Sequence, residues 1–403
     1  MKEYISDVFI CGSGVSGLCC AVASAREGKS VIVAEEDMCF GGSVVDYGVQ
    51  LFCGRPIQGI LKEVNDIMKE MDPRMEKCNA FTQGAYVCAW NTLMRGLPIN
   101  IITDTRIERI ETDGRNVLSV GSENAVFKAK CFVDSSGDGV LCRLAGCKMR
   151  YGREARTEFD ELFAPPVADD KVQQCTLMYQ IKKNRGVPYT ERLNWAFFDD
   201  EEYLIWGPSV TCANTVDKEE LRLAREKAMN MLLDDQSKRW AENGCQITYI
   251  APKIGVRESY RLDGRYMLSY RDVVGKKRFI DSIAVVNYLI DPWEPEGNPF
   301  HDEDKKKACE TPFYEIPYRS LLPVEYDNLW VTGRCISATH VVNSSLRVMG
   351  IASVTGQSAG VAASLCIDAG KPNGQADTSL LRKKLRNGGV CVSLDEFEAK
   401  EEK

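Results

Sequence analysis

Histidine is scarce in this sequence of 403 residues, which contains only His301 and His340. A metal site built on several histidines is therefore all but excluded, and no metal is predicted. The sequence also lacks any Cys-x-x-Cys pair, although it contains 17 cysteines. Most of these cysteines lie in apolar runs where alanine or valine would serve. We therefore interpret them as reduced thiols rather than disulfides or iron–sulfur ligands.

Long apolar stretches and basic runs are also missing. No segment of about 18 uncharged apolar residues is found, and the first residues carry charges where a signal peptide would need an apolar core. A formal net charge of -7 without a basic segment argues against binding to nucleic acid. We therefore expect a cytoplasmic protein without a membrane or nucleic-acid partner.

A glycine-rich turn near the N-terminus is the strongest motif that is present. A buried strand (7–11) is followed by the Gly-x-Gly-x-x-Gly pattern of Gly12–Gly17, which opens a helix (14–27). A second strand (30–35) ends in a carboxylate at Glu35, 18 residues after the last of these glycines. In a dinucleotide-binding unit of this order, phosphates lie on the helix N-terminus and the carboxylate binds a ribose. The predicted contacts are Gly12, Ser13, Gly14, Val15, Ser16, Gly17, Glu35 and Glu36.

Three later features favour FAD over NAD as the dinucleotide. Gly41-Gly42-Ser43 follows the ribose carboxylate, 132–139 ends a strand in small residues, and 329–334 is another apolar strand that ends in glycine. Each feature alone is explained equally well by an ordinary turn at a strand end. Their order is informative because an extended FAD contacts distant segments, whereas an NAD domain is usually contiguous. Glu36 disfavours NADP, since its charge would repel a 2′-phosphate.

The rest of the chain contains one segment in which apolar residues recur at every second position, and two segments without a regular hydrophobic pattern. Residues 99–134 alternate apolar and polar side chains, with a hairpin signal at Asp113-Gly114. The segment 291–312 is rich in proline and charge, so we interpret it as a loop or domain boundary. The final residues, 387–403, are predicted to form a charged tail that frays.

Five segments, in order from residue 7 to about residue 385, resemble one family. They are DVFICGSGVSG…VIVAEED…FGGS, FVDSSGDGVLCRLAGC, IGVRESYRLDG, YEIPYRSLLP and NLWVTGRCISATH…SLRVMGIASVTGQSAGVAASL. The chain resembles the FAD-dependent oxidoreductases that are often found as uncharacterised bacterial proteins. These are distant relatives of the fumarate reductase and succinate dehydrogenase flavoproteins.

The resemblance implies an α/β fold, with a Rossmann-like FAD-binding domain and an inserted α+β substrate domain. The expected boundaries are 1–155 and 313–386 for the two parts of the FAD-binding domain, 156–312 for the substrate domain and 387–403 for the tail. The helix that begins at Met349 would turn its first amides towards the flavin ring, where they would stabilise the negative charge of reduced flavin. The further cofactor contacts implied are Ile107, Ser136, Gly137, Asp138, Gly333, Arg334, Met349, Gly350 and Ile351.

The chain departs from the family pattern on the substrate side. Val341 stands where relatives often carry an acidic residue, and Asn343-Ser344-Ser345 replaces a more apolar run. Because these positions are expected to line the substrate side, the substrate of a relative is not carried over to this chain.

Four side chains are candidates for catalysis or substrate binding. His340 lies seven residues after Gly333, a spacing similar to that of the substrate-binding histidine in the fumarate reductase relatives. It would bind a carboxylate or carbonyl or move a proton, or it is a loop histidine held by backbone groups. Arg347 would clamp an anionic group, or form a salt bridge. In VRESYR, Arg257 would bind substrate and Tyr260 would donate a proton, or the turn would hold two domains together through ion pairs.

These features predict an FAD-dependent oxidoreductase that transfers a hydride between flavin N5 and a small organic substrate, for which an anion is favoured. One alternative is an FAD monooxygenase, disfavoured because Gly333-Arg334 stands where that group carries Gly-Asp. Another is a non-catalytic dinucleotide-binding redox sensor. No second nucleotide fingerprint is found, so we expect a separate electron donor or acceptor, or a second substrate at the same flavin face. Substrate identity, reaction direction and assembly into a homo-oligomer stay open.

Overall fold

The computed structural model describes residues 1–184, 196–199, 201–235, 239–297 and 309–401. His301 and part of the predicted boundary segment 291–312 lie outside these residues. The helices are α1 Val15–Arg26, α2 Ser43–Asp46, α3 Gly59–Met71, α4 Gln83–Met94, α5 Val140–Leu144, α6 Arg156–Phe159, α7 Lys218–Asp235, α8 Tyr270–Val274, α9 His340–Leu346, α10 Met349–Ala369, α11 Thr378–Asn387 and α12 Leu394–Glu401. The strands are β1 Lys2–Cys11, β2 Val31–Ala34, β3 Ile99–Ile102, β4 Arg109–Asp113, β5 Asn116–Gly121, β6 Ala125–Asp134, β7 Met149–Arg150, β8 Cys175–Thr176, β9 Tyr179–Lys183, β10 Ala196–Phe197, β11 Glu202–Ile205, β12 Ser209–Val210, β13 Cys245–Ile250, β14 Arg261–Leu262, β15 Ser282–Val286, β16 Tyr314–Pro317 and β17 Leu329–Val331.

A seven-stranded sheet carries the glycine-rich turn. Strands β3, β2, β1 and β6 run parallel in that order, and β1 pairs with β6 along its whole length. All four residues of β2 are buried, as expected for a parallel strand covered by helices on both faces. Strand β17 pairs in parallel with the end of β6, so a segment near residue 330 joins the sheet formed by the N-terminal residues. The fold is α/β and Rossmann-like, as the sequence predicts.

Helices α1 and α10 pack closely against each other beneath this sheet. A Cβ atom added at Gly356 would lie 1.9 Å from the carbonyl oxygen of Ser16, and one added at Gly360 would lie 2.4 Å from that of Cys20. Glycine is therefore required at both positions for the backbones to approach. Among the described helices, α10 is long and apolar enough to cross a membrane, but 94% of its apolar window is buried inside the protein. It is a core helix of this fold.

The predicted hairpin at Asp113-Gly114 is confirmed. Strands β4 and β5 are antiparallel, with Asp113 opposite Asn116, and β5 continues the sheet by pairing with β6. Gly114 has a φ of 56°, the left-handed conformation that a tight hairpin turn needs.

A second sheet and the C-terminal helix complete the described fold. Strands β10, β11, β9 and β13 form an antiparallel sheet in that order, and its apolar cluster includes residues of α7. The expectation that the C-terminal tail frays is wrong for α12. Leu394 is fully buried and its N–H donates to the Glu315 carboxylate at 2.8 Å, while Asp395 pairs with Arg278 at 2.9 Å. These contacts offset the polarity of the segment.

Candidate active site

The N-terminus of α1 faces a large cavity and offers groups suited to an anion. The first amides of a helix have no intrahelical partner. Gly14, the residue before the helix, provides no side chain to cap them. The Ser16 hydroxyl also lines this cavity, and it is buried without a hydrogen-bond partner among the described residues. A Cβ added at Gly14 would meet only the Gly42 Cα, at 4.0 Å. The geometry therefore leaves room for a phosphate beside the backbone.

The other glycines of this turn hold the backbone in place. Gly12 has a φ of 97°, and a Cβ there would lie 2.6 Å from the Ser135 carbonyl oxygen. A Cβ at Gly17 would lie 2.0 Å from the Gly12 carbonyl oxygen, so Gly17 supports packing between helix and strand rather than lining the cavity. Val15, by contrast, lines it.

The second glycine pair closes onto the first turn. Gly42 has a φ of 55°, and a Cβ there would lie 2.6 Å from the Gly14 Cα. The Gly41 N–H donates to the Ser13 carbonyl at 3.2 Å. Gly42 and Ser43 line the cavity, whereas Gly41 supports the turn from behind.

Glu35 lies at the end of β2, where it orients the turn and faces the cavity. Its carboxylate accepts hydrogen bonds from the Ser13 N–H at 2.8 Å and the Ser13 hydroxyl at 2.5 Å. It also accepts one from the Asp37 N–H at 3.1 Å. Ser13 therefore binds Glu35 instead of lining the cavity. Glu35, Glu36 and Ile107 all line this end of the cavity, which gives it a negative edge beside an apolar wall.

Arg334 ties the C-terminal half of the chain to the loop after β6. Its Nε donates to the Gly137 carbonyl at 2.7 Å, its Nη2 donates to the Asp138 carboxylate at 2.6 Å, and its Nη1 donates to the Val256 carbonyl. Burial alone would lower the pKa of Arg334, but the Asp138 carboxylate raises it above its ordinary value. Arg334 stays charged and fixes the loop. The residues of this region that line the cavity are Ser136, Gly137, Asp138, Gly333 and Arg334.

The start of α10 differs from the expectation that its first amides face the flavin ring. Met349 lines the cavity, but the Gly350 N–H donates to the Cys53 carbonyl at 2.9 Å. The Ile351 N–H donates to the Val348 carbonyl at 3.0 Å. The amides of Gly350 and Ile351 are thus engaged within the protein and do not face a ring, because the segment before α3 packs against the helix start.

Two arginines that are far apart in the sequence, Arg257 and Arg347, both line the cavity. Arg257 is 8% exposed, its Nη1 donates to the Gln174 carbonyl at 2.8 Å and to the Thr176 hydroxyl at 2.5 Å, and its guanidinium lies 4.0 Å from the Trp293 ring centroid. Arg347 donates through Nη2 to the Asp291 carboxylate at 3.1 Å. All four side chains of Arg257, Trp293, Arg347 and Asp291 line the cavity.

The charges of this cluster do not cancel. Burial and the nearby charge of Arg347 lower the pKa of Arg257 to about 9. The Arg347 Nε is buried, with no hydrogen-bond partner in the described part of the chain. Two guanidinium groups with one carboxylate, Asp291, leave an excess of one positive charge at neutral pH. Planar guanidinium groups are suited to bidentate contact with a carboxylate or phosphate, so the cluster is a candidate anion site.

His340 lies behind this cluster rather than in the cavity. It is 1% exposed, its Nδ1 lies 2.9 Å from Glu258 Oε1, and its Nε2 lies 2.9 Å from Glu294 Oε1. Its backbone N–H donates to Glu154 at 2.8 Å. Burial alone would lower the pKa of His340, but the Glu258 and Glu294 carboxylates raise it to about 10. The prediction that His340 contacts the substrate directly is corrected, because both of its ring nitrogens already bind carboxylates.

Tyr260 is also outside the lining of the cavity. Its ring centroid lies 5.0 Å from that of Tyr151, and the Arg143 guanidinium lies 4.6 Å from its ring centroid. The structure therefore does not support Tyr260 as a proton donor to substrate.

Sequence reasoning missed several residues that line the substrate end. Tyr288 follows β15, and Asp291 and Trp293 lie in the segment 291–312, which was predicted only as a loop or domain boundary. A buried strand followed by Asn287 and Tyr288 was the available signal, since ligands collect at strand ends. The glycine-rich turn, the arginine cluster and this segment line one continuous cavity of about 2040 Å³. Pockets for drug-sized ligands have ~300–1,000 Å³, so this cavity has room for more than one small molecule.

Comparison with known proteins points to one family. The model of the family described as FAD dependent oxidoreductase matches residues 7–385. None of the curated proteins matches this sequence.

Several solved structures are similar to this chain at low identity. They include OxyS anhydrotetracycline hydroxylase from Streptomyces rimosus (12% identity, 95% of this chain and 65% of that chain, TM-score 0.42). They also include a geranylgeranyl bacteriochlorophyll reductase-like protein from Thermoplasma acidophilum (10%, 96% and 83%, TM-score 0.44). A third is CmlS, a flavin-dependent halogenase (11%, 95% and 62%, TM-score 0.46). The chain thus spans less than two thirds of the length of the hydroxylase and of the halogenase.

Proposed function

The chain belongs to the FAD dependent oxidoreductase family, and from this premise we propose that it transfers a hydride between flavin and a small organic anion held by Arg257 and Arg347. FAD, when bound, supplies N5 as the atom that accepts or donates the hydride. The observation that carries the proposal is the excess positive charge of the arginine cluster, which lines the same cavity as the glycine-rich turn.

The residues at the other end of the cavity fit the adenosine half of FAD. The first turn of α1 and the unpartnered Ser16 hydroxyl would hold a phosphate. Glu35 would accept a hydrogen bond from a ribose hydroxyl, and Glu36 would exclude a 2′-phosphate by repulsion. Gly14 leaves the space that the phosphate needs beside the first turn of α1.

The protein's own side chains bind and orient the substrate. Arg257 and Arg347 would grip its anionic group, and each is held in place by a neighbour. The Trp293 ring lies against the Arg257 guanidinium, and Asp291 binds Arg347. Because the cluster is mostly buried, a bound anion would displace water and interact strongly with both guanidinium groups.

Electrons must also enter or leave at the flavin. We propose a separate donor or acceptor, or a second substrate that uses the same flavin face. The sequence has a single nucleotide fingerprint, Gly12–Gly17, which supports this view over a second bound nucleotide.

An anaerobic titration tests the proposal. The yellow protein is mixed with pairs of carboxylic acids and their neutral amides while the flavin absorbance is followed. We expect an acid, and not its amide, to change the oxidised spectrum or bleach it. Arg347→Gln should keep its flavin but need about 30- to 100-fold more acid for half of the change, because a charged hydrogen bond contributes about 2–3 kcal/mol.

A matched control uses an arginine outside the cavity. Arg115 pairs with Asp327 at the surface, so Arg115→Gln should leave the acid titration unchanged. If acids and amides act alike, or if Arg347→Gln behaves as Arg115→Gln does, the proposed anion site is wrong.

A further inference from the structure

The cavity continues past the arginine cluster into an apolar chamber. Its walls come from the antiparallel sheet of β9 and β11 and from the segment after α2. The residues that define this apolar chamber are Val49, Leu51, Met178, Leu204 and Trp206, and all of them line the cavity. All five belong to, or pack against, one hydrophobic cluster. The chamber is therefore a continuous apolar surface rather than scattered side chains.

The chamber leaves apolar surface uncovered. Met178 and Leu204 are each 2% exposed, but Val49, Leu51 and Trp206 are only partly buried although they pack on the same cluster. Partly exposed apolar surface inside a protein gains stability when a ligand covers it, by about 25 cal/mol for each Å². A half-buried tryptophan in a concave wall offers a flat face to such a ligand.

The short segment from Thr176 to Met178 connects the anion site to the apolar chamber. The Thr176 hydroxyl accepts a hydrogen bond from Arg257 Nη1 at 2.5 Å, and Thr176 lines the cavity. Met178, which lines the apolar chamber, lies two residues further along the chain. Reciprocal backbone hydrogen bonds between Thr176 and Gly255, at 3.0 and 2.8 Å, hold the segment in place. The anion site and the apolar chamber are therefore joined by one short segment of backbone.

The charge and shape of the two parts define one class of ligand. Arg257, Arg347 and Asp291 together carry an excess of one positive charge, which a monoanionic carboxylate balances and a phosphate dianion exceeds. Trp206 and Trp293 both line the cavity, and an indole is a large flat apolar group against which a ring can pack. A planar ring system fits such walls.

We propose that the substrate is a carboxylic acid that carries a planar apolar ring system close to its carboxylate. The carboxylate would bind Arg257 and Arg347, and the ring would lie in the apolar chamber against Trp206. This inference rests on the proposed function, which assigns the anion site, and it adds the chemical class of the rest of the substrate.

The test measures binding to the flavin-loaded protein without turnover. Acetate, 3-(2-naphthyl)propanoate and the primary amide of the latter are titrated anaerobically while the flavin absorbance is followed. We expect the naphthyl acid to bind about 100-fold more tightly than acetate, the ratio that burial of one aromatic ring system gives. Trp206→Ala should reduce this ratio to about 10-fold or less without changing the affinity for acetate, and Trp206→Phe should retain most of it.

The outcomes separate the two proposals. Equal affinity for acetate and the naphthyl acid would overturn the chamber as a substrate site and leave the anion site intact. Equal affinity for the naphthyl acid and its amide would overturn the anion site instead. Flavin content and Tm report whether Trp206→Ala folds. If it does not, Val49→Thr, which keeps the size of the side chain, should weaken the naphthyl acid about fivefold and leave acetate unchanged. An unchanged ratio in a folded variant contradicts the inference.

Discussion

Raising the pH from 7 to 10 should destabilise the protein through His340. In the fold this imidazole lies between the Glu258 and Glu294 carboxylates, which raise its pKa from 6.5 to about 10. A group whose pKa is raised on folding contributes stability that is fully present below about 6.5 and is lost as the pH passes through about 10. A tenfold change in an ionisation constant is about 1.4 kcal/mol, so this transition removes at most about 4 kcal/mol between pH 7 and 10.

Two measurements check this prediction. The chain contains two histidines, so nitrogen-15 labelling of histidine gives two sets of ring signals, which a His301→Asn variant assigns. The His340 ring should keep both protons up to about pH 9. In parallel, the free energy of unfolding of the wild type should exceed that of His340→Gln by several kcal/mol at pH 7, and the gap should shrink towards pH 10. A His340 signal that titrates near 6.5, or a gap that is constant with pH, would refute the reasoning.

Two further predictions concern the cofactor turn and a buried acid. Gly14→Val should give colourless protein, because its side chain fills the space next to the first turn of α1, whereas Gly84→Ala, in a helix with nothing within 4 Å of the added Cβ, should stay yellow. A Gly14→Val protein with full flavin absorbance at about 450 nm would contradict the placement of the cofactor. Burial raises the pKa of Glu161 from 4.5 to about 7, so its favourable contribution is present below about 4.5 and lost as the pH rises through 7. Glu161→Gln should therefore be more stable than the wild type by about 1–3 kcal/mol at pH 8 and nearly equal to it at about pH 4, and denaturant unfolding that shows the same difference in stability at both pH values would count against a buried acid.

The local parts of the site were readable from the sequence because short-range rules determine them. The spacing of Gly12, Gly14 and Gly17 after an apolar strand predicts a turn that opens a helix, and the structure has that turn. Glu35 follows from the length of one strand–helix–strand unit. Such features depend on backbone conformation within about 30 residues, which the residue types largely decide.

The substrate end could not be predicted in the same way, because tertiary contacts decide where each side chain points. Nothing in the residues around His340 shows that two glutamates from distant segments bind both of its ring nitrogens. The amide of Gly350 is likewise taken by the carbonyl of Cys53, almost 300 residues earlier. Trp293 lies in a proline-rich stretch without a period, where sequence patterns give no direction for a side chain.

The short segment Arg257–Ser259 shows how tertiary contacts give neighbouring residues different surroundings. Successive side chains point in different directions: Arg257 lines the cavity, Glu258 binds His340 in the buried network, and the Ser259 hydroxyl donates to Asp138 at 2.7 Å. Three consecutive residues therefore contact the cavity, the charged interior and the loop after β6. The ion pairs expected at this turn exist at Glu258, and the neighbouring Arg257 lines the cavity in which we propose that the substrate binds. The two interpretations of the motif were alternatives in the sequence, but in the fold Glu258 joins the buried ion-pair network while Gln174, Thr176 and Trp293 hold Arg257 at the cavity.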